Sequence, residues 1–251
     1  MRKVYIVPNF VTTANMFCGF GSIISSIQGD YVAAAWGILA AAVFDALDGR
    51  IARLAKATSQ FGVEYDSLSD LVSFGVAPGI LLYQSTLQPF GRFGWMASFL
   101  FVVCGALRLA RFNVMTAAAP KSYFQGLPIP GAAGIVATFT IFHATVGWPA
   151  DKADFTIAMT LILASLMVST IRFPSFKEFN WKSRASFGYL MVGVLTMILI
   201  AVKPEVTLFL VGSTFVLASM LWNLVRVVSG ASAREKAKHR GQTVHEHGQG
   251  D

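Results

Sequence analysis

The sequence predicts an all-α fold, a polytopic membrane helical bundle of about eight transmembrane helices with both termini cytoplasmic. Three observations carry that expectation: a shortage of charge, a succession of long uncharged runs, and a one-sided distribution of basic residues. Only 13% of the 251 residues are charged and 55% are hydrophobic, with a mean hydropathy of +0.59. Soluble domains carry about 25% charged residues. Uncharged runs cover 4–29, 31–44, 71–91, 93–107, 122–150, 155–171, 185–202 and 206–225. A helix needs about 20 mostly apolar residues to cross a bilayer core. A buried soluble core explains one such run but not eight in succession.

Taken in order, these runs place spans at 8–28, 31–54, 62–84, 93–114, 130–147, 155–171, 185–202 and 205–227. The first is not expected to be a removable signal. Its uncharged stretch is 26 residues long, lacks a clear small-residue cleavage site, and carries the polar Asn9, Thr12, Thr13 and Asn15. With the N-terminus inside, 17 of the 20 Lys and Arg fall on the cytoplasmic side, and only Arg92, Lys152 and Lys203 fall outside. That asymmetry supports the even span count and the orientation together. The links at 29–30, 85–92, 148–154 and 203–204 leave no room for an external domain. Residues 1–228 are thus expected to form one integral-membrane domain. Residues 229–251 have almost no large apolar side chains and are expected to form a disordered basic cytoplasmic tail. His239, His245 and His247 in that tail read as solvated or lipid-head-binding rather than metal-binding.

The net charge of +7 and pI of 9.6 do not imply nucleic acid here. In a membrane chain, basic residues report topology and attraction to anionic lipid heads, so the expected partner is the lipid bilayer. Cys18 and Cys104 both sit in apolar segments, which argues against a disulfide framework. His143, also in an apolar span, reads as a packed histidine.

Four aspartates stand where hydrocarbon is otherwise expected: Asp45, Asp48, Asp66 and Asp70. Charge at membrane depth is costly and points to function by default. Asp45 and Asp48 are three residues apart on the second predicted span, and Asp66 and Asp70 four apart on the third, so each pair shares a helix face. The short connection 54–61 brings the two spans together as antiparallel neighbours. Four converging carboxylates repel unless neutralised, and hard divalent cations neutralise them through oxygen ligands while keeping positions open for phosphate. Two such ions can clamp the attacking and leaving oxygens of a phosphoryl displacement. Nearby, Gly49 removes bulk where a phosphate or ribose approaches, Ala52 continues the small face, Arg53 offers a cation for a diphosphate, and Gly62 opens space at the start of the third span.

The whole pattern is Asp45-Ala-Leu-Asp48-Gly49-Arg-Ile-Ala52-Arg53, eight residues, Gly62, three residues, Asp66, three residues, Asp70. It resembles the complete signature of the CDP-alcohol phosphatidyltransferases. The resemblance implies that Asp45, Asp48 and Asp66 bind divalent metal, Mg²⁺ or Mn²⁺ and two ions in all. It makes Asp70 the base, which could also touch a metal. It assigns Gly49, Ala52, Arg53 and Gly62 to the CDP pocket, and it makes a homodimer plausible.

Three further segments resemble the serine-accepting bacterial and archaeal branch of that family. The entrance Pro8-Asn9-Phe-Val-Thr12-Thr13-Ala-Asn15 implies nucleotide contacts from Asn9 and Thr12, residues that would equally serve as helix caps beside Pro8. Arg108-Leu-Ala-Arg111-Phe-Asn113 offers guanidinium forks for a carboxylate and an amide for a further polar group, although the two arginines would also mark a cytoplasmic interface. Phe124-Gln125-Gly126-Leu127-Pro128-Ile129-Pro130 breaks helix geometry just before the fifth span, with Pro130 in the first turn. The implied reaction is CDP-diacylglycerol plus L-serine giving phosphatidylserine and CMP, on the cytoplasmic face of a prokaryotic plasma membrane. Glycerol 3-phosphate or an inositol phosphate remains an alternative acceptor, and a divalent-cation transporter is the alternative of a different class.

Overall fold

In hydrocarbon a backbone must satisfy its own hydrogen bonds, which an apolar run does by coiling into a helix. The computed structural model follows that rule: its described residues include seven α-helices in the order of the chain, with further helical positions between 191 and 218. The described residues comprise 6–54, 59–118, 124–147, 153–170 and 172–173, with scattered positions between 191 and 218. The chain divides into two units, Met1–Ser213 and Thr214–Asp251. The second is described only at 214 and 216–218, which are helical. All seven α-helices belong to the first.

Helix α1 (Ile6–Ile27) and helix α2 (Tyr31–Leu54) form an antiparallel hairpin. Gly29 turns the chain with φ of 84°, a conformation that suits glycine. Asp30 then caps α2 by accepting a hydrogen bond from the Ala33 amide at 2.9 Å. Helix α3 (Gln60–Asp70) starts at Ser59, whose hydroxyl accepts from the Gly62 amide at 3.0 Å.

From α3 the chain stays helical to Phe90, through a π-helical turn (Leu71–Val76), α4 (Ala77–Leu82), a second π-helical turn (Tyr83–Leu87) and a 3₁₀ turn. Pro78 lacks the amide that would close an ordinary turn onto the residue four back, and the first widened turn lies just upstream of it. Helix α5 (Arg92–Ala118), α6 (Ile129–Val146) and α7 (Ala153–Val168) follow.

Four helices are long and apolar enough to cross a bilayer: Asn9–Ile27, Tyr31–Ile51, Arg92–Met115 and Ile129–Val146. They coincide with the first, second, fourth and fifth predicted spans. The third predicted span lies within the helical path 60–90, interrupted by its wide turns. The sixth corresponds to α7, whose 16 residues rise only about 24 Å. Most of the seventh, the end of the eighth and the 229–251 tail lie outside the described residues.

Large apolar side chains point outward, among them Phe17 at 75% and Phe93 at 77% exposed. A water-soluble protein would pay for such a surface, whereas a lipid-facing one would not. Inside, Ile38, Phe74, Leu81, Leu82 and Phe101 are fully buried.

Helix α1 packs against both acidic helices. It runs antiparallel to α2 and alongside α3 in the same direction, so α2 and α3 are antiparallel, as the short connection predicted. Their own shared surface is slight, and α1 bridges them. Small residues permit this close fit. A Cβ on Gly19 would collide with Ser73, and one on Gly37 would sit 3.1 Å from Ser22 Cβ. Helix α6 packs on α2, and α5 packs on α7 and on the π-helical turn after α3.

A short pair of strands departs from the all-α expectation. Phe124–Gln125 (β1) pairs antiparallel with Arg172–Phe173 (β2), Phe124 opposite Phe173 and Gln125 opposite Arg172. The Leu127 amide then donates to the Leu166 carbonyl at 3.0 Å, so the predicted break at 124–130 is a loop pinned to the end of α7. Pro128 caps α6, with Pro130 in its first turn, as the sequence predicted.

Candidate active site

Spacing alone puts Asp45 and Asp48 on one face of α2, and the fold brings Asp66 of α3 to that face. One carboxylate oxygen from each of Asp45, Asp48 and Asp66 lies within 4.8 Å of the others. Asp48 is buried at 4% exposed, while Asp45 and Asp66 are half-buried. The Asp48 and Asp66 carboxyl groups come within hydrogen-bonding reach of each other. Asp70 lies one turn further along α3, outside the set of three but within the electrostatic field of all of them.

Helix α1 supplies the ties. The Thr12 hydroxyl donates to Asp48 Oδ2 at 3.1 Å, and Asn15 Nδ2 donates to Asp70 Oδ1 at 3.2 Å. Helix α3 and the turn after it reciprocate: the Ser69 hydroxyl donates to the Thr12 carbonyl and the Ser73 hydroxyl to the Asn15 carbonyl, each at 3.0 Å. The two α1 residues that hold carboxylates by their side chains are therefore held in turn by their backbones. Thr13, on the neighbouring face, shares a 2.9 Å hydrogen bond with Tyr65 Oη.

The glycines and Asn9 sit around this centre. A Cβ on Gly49 would meet nothing within 4 Å, whereas one on Gly62 would lie 3.2 Å from Ser59 Oγ and 3.6 Å from Asn9 Oδ1. Gly49 thus borders open space next to Asp48, and Asn9 of α1 abuts the start of α3. Ala52 and Arg53 fall in the last turn of α2, with side chains outside the described residues.

From the opposite side, α5 delivers Arg108, Arg111 and Asn113, and the structure separates their positions. Arg108 is buried at 8% exposed, lies within the electrostatic reach of Asp70, and packs its guanidinium 5.8 Å from the Phe112 ring centroid. Its Nε has no hydrogen-bond partner among the described residues. Arg111 instead turns to α7, donating from a terminal nitrogen to the Val168 carbonyl at 3.2 Å. Asn113 Nδ2 donates to Ser67 Oγ of α3 at 2.9 Å. His143 belongs to a different cluster, its ring 6.0 Å from Phe139 in α6.

The donor set suits a hard divalent cation. Three carboxylates offer only oxygen, and Asp66 Oδ1 is buried with no hydrogen-bond partner among the described residues. An ionised oxygen stranded in this way is costly unless something cationic meets it.

Sequence reasoning missed Ser67, Ser69 and Ser73, and took Asn15 only as part of a segment. Ser69 and Ser73 are four residues apart, as Asp66 and Asp70 are. That offset places a second polar stripe beside the acidic one, a legible signal.

Apolar helices long enough to cross a bilayer, with three carboxylates from α2 and α3 meeting within 4.8 Å, define an integral-membrane protein with a candidate metal site. More narrowly, the chain belongs to the CDP-alcohol phosphatidyltransferase family, whose pattern matches residues 5–171. A CDP-diacylglycerol–serine O-phosphatidyltransferase of Helicobacter pylori (strain ATCC 700392 / 26695) is 36% identical over 230 residues, covering 90% of this chain and 92% of that protein. An archaetidylserine synthase of Methanothermobacter thermautotrophicus is 39% identical over 170 residues, 67% of this chain and 69% of its own. A CDP-diacylglycerol–serine O-phosphatidyltransferase of Saccharomyces cerevisiae is 42% identical over 150 residues, 54% of this chain and 53% of its own.

Proposed function

We propose that this chain transfers the phosphatidyl group of CDP-diacylglycerol to L-serine, yielding phosphatidylserine and CMP. The observation that carries the reading is the meeting of Asp45, Asp48 and Asp66 within 4.8 Å, one turn from a fourth carboxylate, in a chain whose bacterial, archaeal and yeast relatives are named for serine transfer. No named relative among these is a transporter.

In this reading Asp45, Asp48 and Asp66 hold the metal, with Asp70 at its edge. Bound Mg²⁺ or Mn²⁺, two ions in all, offsets the negative charge of the diphosphate. Asn9, Thr12, Gly49, Ala52, Arg53 and Gly62 border the CDP moiety, with Gly49 leaving room for the nucleotide. Asp70 accepts the serine hydroxyl proton as that oxygen forms its bond to the lipid-linked phosphorus. The bond from that phosphorus to the CMP oxygen breaks in the same displacement, and the electron pair leaves with CMP. Direct attack is favoured because no side chain in the cluster is a dedicated nucleophile.

Arg108 is the better placed of the two arginines to hold the serine carboxylate. It is buried, within the electrostatic reach of Asp70, and its Nε meets no hydrogen-bond partner among the described residues, whereas Arg111 is engaged with α7. Asn113, bonded to Ser67 of α3, is assigned to the same acceptor site. The reading extends to a site facing the cytoplasm, in the plasma membrane of a prokaryotic cell, with about eight spans, both termini inside, a free tail after residue 228, and a homodimer as the working unit.

Purified enzyme supplied with CDP-diacylglycerol and one acceptor at a time tests the acceptor. CMP release is expected with L-serine, and release only with glycerol 3-phosphate or an inositol phosphate would overturn the choice. The arginines give a second test. Arg108→Ala is expected to raise the serine KM by about 10- to 100-fold, the value of a charge-assisted hydrogen bond. Arg111→Ala is expected to leave it within about twofold. The reverse ranking would move the carboxylate site to Arg111.

A further inference from the structure

Asn15 is buried so completely that no part of it is exposed, although an amide in an apolar bundle costs free energy unless it is well partnered. Its Nδ2 donates to Asp70 Oδ1 at 3.2 Å, and an ionised carboxylate can only accept, so this is the amide edge the aspartate requires. Its backbone carbonyl accepts from Ser73 at 3.0 Å. On the same helix, Gly19 approaches Ser73 so closely that a methyl group would not fit. Position 15 is therefore fixed both by a hydroxyl at its own carbonyl and by backbone contact one turn on.

A purely structural asparagine would be expected to use both ends of its amide. Asn15 does not: its Oδ1 is buried with no hydrogen-bond partner among the described residues. One end of the side chain thus grips Asp70, and the other offers an acceptor that no described residue meets.

We infer that Asn15 is a positioning residue that sets the orientation of the Asp70 carboxylate from α1. The inference rests on Asp70 as the base in the proposed reaction. A carboxylate on a helix can rotate about two side-chain bonds. A hydrogen bond to Oδ1 from a rigid neighbour fixes that oxygen and leaves Oδ2 as the one free to accept a proton from the acceptor hydroxyl. Such orienting partners are commonly worth about 10- to 100-fold when lost.

Steady-state kinetics on the purified full-length enzyme in mixed micelles, with thermal unfolding measured alongside, provide the test. Asn15→Leu, which keeps the branched outline of the amide but is bulkier and cannot hydrogen-bond, is expected to lower kcat by about 10- to 100-fold. KM for CDP-diacylglycerol and for serine should remain within about threefold. Asn15→Gln, which keeps the donor, should recover part of the loss. If the leucine variant is not recovered folded, Asn15→Ala fits inside the existing space and carries the same expectation. An unchanged kcat overturns the inference, as does a rise in the CDP-diacylglycerol KM with kcat preserved, which would make Asn15 a nucleotide contact. A lower unfolding temperature with normal kcat per folded enzyme makes it a packing residue and overturns the inference too. Loss of turnover in Asp70→Asn alongside a normal Asn15→Leu removes only the positioning role, whereas an active Asp70→Asn removes the base on which it rests.

Discussion

Asp70→Asn is expected to reduce phosphatidyl transfer by at least about 10³-fold, within the range that positioned acid–base groups contribute. The amide is nearly the same size and keeps an oxygen toward Asn15, so the helix packing that surrounds Asp70 should survive. CDP-diacylglycerol binding should survive as well, because Asp70 lies outside the three carboxylates that meet within 4.8 Å. Equilibrium binding of the donor together with single-turnover CMP release separates the two effects. Near-normal turnover would remove Asp70 from the role of base, and lost donor binding would make it a metal ligand first.

Asp66→Asn should act on a different quantity. Asp66 contributes an oxygen to the cluster and keeps its Oδ1 buried with no hydrogen-bond partner among the described residues. Replacing that carboxylate removes a charged ligand, and the metal concentration for half-activation is expected to rise by about tenfold or more. Chelation should silence the wild-type enzyme, and Mg²⁺ or Mn²⁺ should restore it. A readout independent of turnover is available, since a ligand that binds only the folded state raises its unfolding temperature. Mn²⁺ should stabilise the wild type and do so much less for the variant. Equal stabilisation of both would place the ion elsewhere.

Much of this was legible in the residues, for identifiable reasons. Long uncharged runs can only be helices in lipid, so α1, α2, α5 and α6 emerged close to their predicted positions. Helical spacing put Asp45 with Asp48 and Asp66 with Asp70. What spacing could not convey was which helix ties the two pairs together. The short 54–61 connection correctly implied antiparallel α2 and α3, yet small residues let α1 pack closely against both, and contacts such as Asn15 to Asp70 join positions 55 residues apart. Arg108 and Arg111 looked equivalent because both share a helix face. Their different fates, one toward Asp70 and one toward Val168, depend on where α7 ends. The π-helical turns after Asp70 also left no periodic signature, since Pro78 marks an interruption without revealing its form.

The division of labour between helices has an evolutionary consequence. The carboxylates and their ties come from α1, α2 and the first half of the 60–90 path, whereas Arg108 and Asn113 reach the centre from α5 alone. On the proposed reading, substitutions confined to that single helix could retune which headgroup is installed while the cleavage machinery is inherited unaltered. A lineage could then diversify its membrane lipids by drift along one stretch of the gene, without rebuilding the chemistry it shares with its relatives.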